Sequence, residues 1–274
     1  NLLATSAGSD LLWERSAELG IAPRGQRSAN DACRLLPTQD GHVAINLARA
    51  EDWSLLPAWL EESVEDWSQL AEHVSRRTTM PLLERGRLMG LAVATPNEAI
   101  TPSVADELSD AQIKLSSAPM VVDLSALWAG PLCSHILQQC GFRVVKVESV
   151  QRPDGAREGS PIHFNALHKG KRLRRFDFAD ANDLQGLREL LASADVVIEG
   201  SRPRALRALG LDRDSLMGGA CSATSAQLGL SLTACGRPRP YGDWVGFGDD
   251  VAIAAGAFAL TNNKLPSFLG DAIA

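Results

Sequence analysis

Val121-Val122-Asp123-Leu124-Ser125-Ala126-Leu127-Trp128-Ala129-Gly130-Pro131, followed by Val144-Val145-Lys146-Val147-Glu148, sets the architecture of this chain. Both apolar runs are short and β-branched, a Gly-Pro turn follows the first, and a helical segment separates them, which makes one β-loop-α-β unit. In open α/β sheets ligands gather outside the carboxyl ends of the strands, so the loop Leu124–Pro131 marks where a ligand is expected. The alternation continues downstream. Strands are predicted at Met120–Leu124, Arg143–Val147, Asp195–Glu199 and around Ala226–Leu232, with helices at Leu132–Cys140, Ala181–Ala192, Arg204–Leu209 and Asp249–Leu260. The run Asp195-Val196-Val197-Ile198-Glu199 has the β-branched density of a strand buried on both faces. The pattern predicts a doubly wound α/β domain with a parallel sheet and crossover helices.

Residues 1–95 have another rhythm. A helix is predicted at Asp10–Leu19, and Asp40-Gly41 turns Arg34–Leu36 into the strand His42–Leu47. Helices at Trp53–Glu61, Asp66–Ser75 and Pro81–Arg87 and a short strand Leu91–Ala94 complete a smaller α+β domain. Residues 96–118 carry Pro96, Pro102, acidic side chains and serines with little periodicity, and read as a linker.

Composition narrows the class. The chain has 274 residues, 45% of them hydrophobic and 22% charged, which is ordinary for a soluble globular protein. A net charge of −6 argues against a general nucleic-acid binder. No apolar run approaches the roughly 20 residues that span a bilayer, and no signal-peptide pattern is present. The five cysteines (Cys33, Cys133, Cys140, Cys221, Cys235) contain no C-x-x-C pair and fit free thiols in a reducing, cytoplasmic compartment. Cys133 and Cys140 share one predicted helix and read as small core residues. The chain begins at Asn1 and stops at Ala274 with no closing element, so it reads as a fragment or a processed product.

The loop itself excludes several chemistries. It carries one glycine where a dinucleotide fold needs G-x-G-x-x-G, so its backbone does not provide for close approach of a pyrophosphate. No G-x-x-x-x-G-K-[ST] and no G-x-S-x-G occurs, which disfavours a P-loop and a serine hydrolase. The histidines His42, His73, His135, His163 and His168 lack metal-ligand spacing, and no metal site is expected. Two basic clusters remain. His168-Lys169-Gly170-Lys171-Arg172, with Arg174 and Arg175, precedes Phe176, and Arg202-Pro203-Arg204, with Arg207, follows the strand ending at Glu199. Each reads either as a solvated loop or as an anion site, since guanidinium and ammonium groups contact phosphates well.

Taken in order, Asp123-Leu124-Ser125 with Ala129-Gly130-Pro131, Val144–Glu148, Leu167–Arg172, Ala194–Glu199 and Arg202-Pro203 through Leu209-Gly210-Leu211 resemble the family III CoA-transferases, also called the CaiB/BaiF family. The relatives in that family include formyl-CoA transferase, carnitine CoA-transferase and α-methylacyl-CoA racemase. The resemblance covers about 119–274. It implies a Rossmann-like open parallel sheet domain at 119–274, preceded here by a smaller α+β domain at 1–95. It implies coenzyme A as substrate, no tightly bound cofactor, and an acyl-CoA donor with a carboxylic acid acceptor. Leu127, Trp128 and Ala129 match positions lining the CoA site, as do Gly200 and Ser201, while Lys146, Lys169, Lys171, Arg172 and Arg204 would sit near its phosphates. The family's nucleophilic aspartate lies in a segment reading like "LGD", which Asp271 in Leu269-Gly270-Asp271 matches. Gly270 then supplies backbone N–H groups to the oxyanion, and Asp249 matches a position often acidic in the family. Read without the resemblance, Asp249 is an N-cap for the following helix.

Departures sharpen the expectation. The racemase branch carries a histidine just before the Asp249 position, where this chain has Gly248, so racemisation is disfavoured against transfer. Transferases commonly show Asn-Phe where Gly200-Ser201 stands. Leu35-Leu36, Asp40–Asn46, Trp53 and Arg85–Ala94 resemble the family's small domain, which in the usual order follows the α/β domain and here precedes it. The chain is therefore either permuted or spans a junction in a longer, duplicated parent protein. Arg24-Gly25-Gln26 matches weakly a glycine loop over the active site, and the family's interlocked homodimers imply a second chain. The rival readings are a racemase-like enzyme of the same fold and a non-catalytic CoA-binding subunit.

Overall fold

The computed structural model describes residues 24–28, 30–96, 98, 116–212, 215 and 228–256. The described residues between 116 and 233 form one compact unit, and those at 24–98 and 234–256 form another.

The first unit is built on a parallel sheet. Its strands are β4 (Met120–Asp123), β5 (Arg143–Ser149), β6 (Arg172–Phe176), β7 (Val196–Glu199) and β8 (Leu228–Ser231), lying side by side in the order β6-β5-β4-β7-β8. Alternation along each strand sorts the side chains onto two faces. Val121, Val144, Val196 and Ile198 pack on Leu137 of α4 (Ala129–Gln139). Val122, Val145 and Val147 pack on Leu187 and Leu191 of α7 (Ala181–Ala192). Both faces are covered, which is why the strands read as continuous apolar runs. The strand order reverses at β4, so the loop after β4 lies at the topological switch point, where open sheets hold their ligands.

Three elements of this unit escaped the sequence reading. Residues 172–176, read as part of a basic loop, form the edge strand β6, because five residue pairs with β5 fix them although Arg172, Leu173, Arg174 and Arg175 are all exposed. The others are the short helix α5 (Ala156–Gly159) and α6 (Pro161–His168), which follows it. Ser160 caps α6 by accepting the His163 N–H, and Pro161 occupies its first turn. That start signal stood in the sequence.

The second unit carries an antiparallel sheet in the order β1 (Cys33–Pro37), β2 (His42–Asn46), β3 (Ala92–Ala94). The hairpin closes through Thr38 N–H to Gly41 C=O at 2.9 Å, at the predicted Asp40-Gly41 turn. Helices α1 (Ala50–Leu60), α2 (Trp67–Ser75) and α3 (Thr79–Leu88) bury Leu56, Trp59, Leu70 and Leu83 with Val43, Ile45 and Val93. Asp66 caps α2 by accepting the N–H groups of Ser68 and Gln69 at 2.8 Å each. The last described helix, α9 (Gly248–Ala254), packs on this sheet, with Ile253 and Ala254 against Cys33, Leu35, Ala44 and Ala94. Helices α8 (Pro203–Ala208) and α7 lie close to their predicted spans. The helix predicted at Asp10–Leu19, most of the linker at 96–118, and the segment with Gly270 and Asp271 lie outside the described residues.

Candidate functional site

The loop after β4 is braced from below by two buried ion pairs. Asp123, the last residue of β4, accepts the Ser125 N–H at 2.9 Å and hydrogen bonds from the hydroxyls of Ser125 and Ser134. Lys171 Nζ stands 3.7 Å from Asp123, both side chains fully buried, and donates to the Pro131 carbonyl at 2.8 Å and to Ser134 Oγ at 2.7 Å. The second pair is Lys146 of β5 with Asp154, 3.3 Å apart. Lys146 also donates to the Ser125 carbonyl, while Asp154 accepts the N–H groups of Leu127 and Ala156 at 3.0 Å each. All four charged groups grip the loop Asp123–Pro131.

Electrostatics follow from this crowding. Burial, reinforced by neighbouring Lys146, pulls the Lys171 ammonium down to about 8 against the attraction of Asp123. Burial pushes the Asp154 carboxyl up, but Lys146 and the amides of Leu127 and Ala156 outweigh it, and it titrates below its usual range. His168, at the end of α6, packs on Phe164 with ring centroids 4.3 Å apart. Burial first, then the positive charges of Lys171 and Lys146, lower it to about 3. Its imidazole is therefore neutral at pH 7. In the unfolded chain it takes up a proton near pH 6.5. Its contribution to stability is thus complete above that pH and is lost progressively as pH falls toward 3. Urea midpoints measured between pH 7 and pH 5 should fall more steeply for the native chain than for His168→Asn. Parallel slopes would contradict the placement of His168.

Above these pairs, the loop presents its upper surface. Leu127 has a left-handed backbone, φ +68°, and its side chain is 47% exposed. Trp128 is buried edge-on against His163, ring centroids 6.1 Å apart. Ala129 opens α4. Gly130 is required here. A β-carbon at that position would lie 2.0 Å from Ser125 Oγ and 2.3 Å from Ser125 Cβ. Gly200 approaches the same serine from the end of β7, its own β-carbon position 3.4 Å from Ser125 Cβ.

The cations singled out from the sequence fall into two groups. Lys146 and Lys171 are buried and engaged with carboxylates beneath the loop. Lys169, Arg172 and Arg204 are exposed. Register decides where Arg172 lies. Arg172 pairs with Val145, which pairs with Val122, so β6 begins level with the end of β4. Arg204 sits in the first turn of α8, just after β7, Gly200 and Ser201. Of the remaining arginines, Arg175 faces Glu148 at 3.6 Å and Arg174 lies 4.7 Å over the Phe176 ring. Glu148 also accepts three hydrogen bonds from Arg157, at 3.1, 3.2 and 3.0 Å. The sequence reading missed Asp154; its one local signal was the turn Pro153-Asp154-Gly155.

Asp249 lies in the other unit, in the first turn of α9. The capping carboxylate there is that of its neighbour. Asp250 accepts the Phe247 N–H at 3.0 Å and the Asn46 side-chain amide at 2.9 Å. Among the described residues, no group of three or more His, Cys, Asp or Glu side chains is placed to hold a metal ion. No described helix is long and apolar enough to cross a membrane.

Comparison with known proteins matches residues 119–264 to the model of CoA-transferase family III. An acyl-CoA transferase of Fusarium pseudograminearum is 31% identical over 159 residues, covering 53% of this chain and 34% of that protein. A succinate–glutarate CoA-transferase of Agrobacterium fabrum is 28% identical over 154 residues, covering 52% of this chain and 38% of that protein. The crystal structure of a CAIB/BAIF family protein from Brucella suis superposes with a TM-score of 0.44 at 32% identity, covering 49% of this chain and 37% of that one. The chain thus spans between about a third and two fifths of the length of these relatives. With the family model covering more than half of the sequence, the chain belongs to CoA-transferase family III.

Proposed function

We propose that this chain transfers coenzyme A between an acyl-CoA thioester and a carboxylic acid, with the loop after β4 holding the CoA moiety and Asp271 as nucleophile. The observation that carries the reading is the braced loop at the switch point, with exposed Leu127 on it, exposed Lys169 and Arg172 at the start of β6, and exposed Arg204 in the first turn of α8. An apolar side chain on this loop, with cations on the neighbouring elements, suits a pantetheine arm that ends in phosphates. In this reading Gly200, which approaches Ser125, and Ser201 after it also contact the CoA moiety.

In the proposed reaction the Asp271 carboxylate attacks the thioester carbonyl and expels CoA thiolate, leaving an acyl-aspartyl anhydride. The thiolate then attacks the aspartyl carbonyl, releasing the donor acid and leaving an aspartyl-CoA thioester. The acceptor carboxylate displaces the thiolate in turn, and the thiolate takes the acceptor's acyl group from the new anhydride, which frees Asp271. Backbone N–H groups beside Gly270 stabilise each oxyanion. Asp249 assists on the acyl side. CoA enters and leaves as a substrate, so no tightly bound cofactor is needed. The reaction is placed in the cytoplasm, in an interlocked homodimer or a longer parent chain whose small domain corresponds to residues 1–95 and whose CoA-binding domain begins at 119.

The test is incubation with an acyl-CoA and hydroxylamine, followed by peptide mass spectrometry. A hydroxamate on Asp271, absent from Asp271→Asn, supports transfer. CoA binding without an adduct would favour a non-catalytic subunit. Exchange of the α-proton into deuterated water would favour the racemase reading, which Gly248 argues against because it supplies no base.

A further inference from the structure

Leu127 is one of the non-glycine residues held at positive φ, and its side chain is not in the core. Such a conformation costs on the order of 1–3 kcal/mol and persists only where the surroundings impose it. Here the imposing groups are identifiable. Asp154 takes the Leu127 N–H at 3.0 Å, while its other oxygen lies 3.3 Å from Lys146, whose ammonium holds the Ser125 carbonyl. One ion pair therefore grips the loop on both sides of Ala126. Both charged side chains are 99% buried, so the pair is screened little by solvent. The strained residue keeps nearly half of its side chain exposed, with one methyl group against Gly155, on the surface where the proposed ligand would lie.

We infer that Asp154, anchored by Lys146, is a positioning residue that holds Leu127 in the left-handed conformation the CoA-binding loop requires. The inference rests on the reading of this loop as the CoA site. Asp154 touches no substrate. It acts through the Leu127 amide, and without it Leu127 relaxes to an ordinary backbone angle and swings its side chain off the binding surface.

A double-mutant cycle on the full chain tests this, with CoA affinity read by calorimetry and turnover read separately. Asp154→Asn should weaken CoA binding about tenfold, a coupling of ordinary size for residues in contact, and leave kcat within about twofold. In a Leu127→Gly background, where the left-handed angle costs nothing, the same Asp154→Asn change should alter affinity by less than about twofold. A merely structural Asp154 would weaken binding equally in both backgrounds, and that result would overturn the inference. The paired change Lys146→Met with Asp154→Leu removes both charges together and so spares the fold; it should reproduce the tenfold loss. Hydrogen exchange separates this inference from the CoA reading. The Leu127 amide should exchange slowly in the native chain and fast in Asp154→Asn, with β4 unchanged. Native exchange at Leu127 in that variant would overturn the positioning role whether or not CoA binds. Absence of CoA binding by the native chain would instead overturn the ligand assignment and, with it, the claim that the conformation serves CoA.

Discussion

Asp123→Ala is expected to destabilise the parallel-sheet unit by roughly 3–5 kcal/mol, the scale of stranding one partner of a buried ion pair. Lys171 is fully buried and has Asp123 as its counter-charge, with two hydroxyls and the Ser125 amide converging on the same carboxylate. Removing the carboxylate leaves the ammonium without its counter-charge, and the Ser125 amide and two hydroxyls without their acceptor, in a low-dielectric pocket. Substituting both charges, as Asp123→Leu with Lys171→Met, should recover most of the loss, because a buried pair replaced by apolar groups of similar volume is often neutral. Urea unfolding of the three proteins measures the difference directly. An Asp123→Ala chain as stable as the native one would mean that the pair does not brace the loop.

Asp271→Asn should lower CoA transfer at least on the order of a thousandfold, the magnitude typical when a covalent nucleophile is lost. Asparagine keeps the shape of the residue but offers no carboxylate to form the anhydride. Affinity for CoA should stay within about twofold, because the proposed binding surface is the loop after β4 and the cations around it. Steady-state rates with an acyl-CoA and an acceptor acid, set beside a calorimetric titration, separate the two effects. A variant with near-native turnover would remove Asp271 from the mechanism.

Much of the parallel sheet was legible because its strands are buried on both faces. Val121-Val122, Val144-Val145 and Val196-Val197-Ile198 could hardly be read otherwise. The edge strand β6 was hidden for the opposite reason: its arginines face solvent, and only hydrogen bonding to β5 makes it a strand. The loop at the switch point was legible too, since a Gly-Pro turn follows the first strand. The roles of the cations were not. Lys146 and Lys171 look in sequence like the exposed Lys169, and what buries them is Asp154 and Asp123, carboxylates contributed by other elements. Asp154 went unnoticed because a carboxylate in a Pro-Asp-Gly turn reads as turn chemistry. Its two amide contacts exist only in the folded chain.

The most direct measurement of the central claim is a calorimetric titration of the full chain with coenzyme A, repeated with Lys169→Ala, Arg172→Ala and Gly130→Ala. The account predicts saturable binding that weakens with salt, falls several-fold in each of the first two variants, and is lost in Gly130→Ala, whose new methyl group must displace Ser125. No saturable heat, or affinity indifferent to all three substitutions, would contradict it.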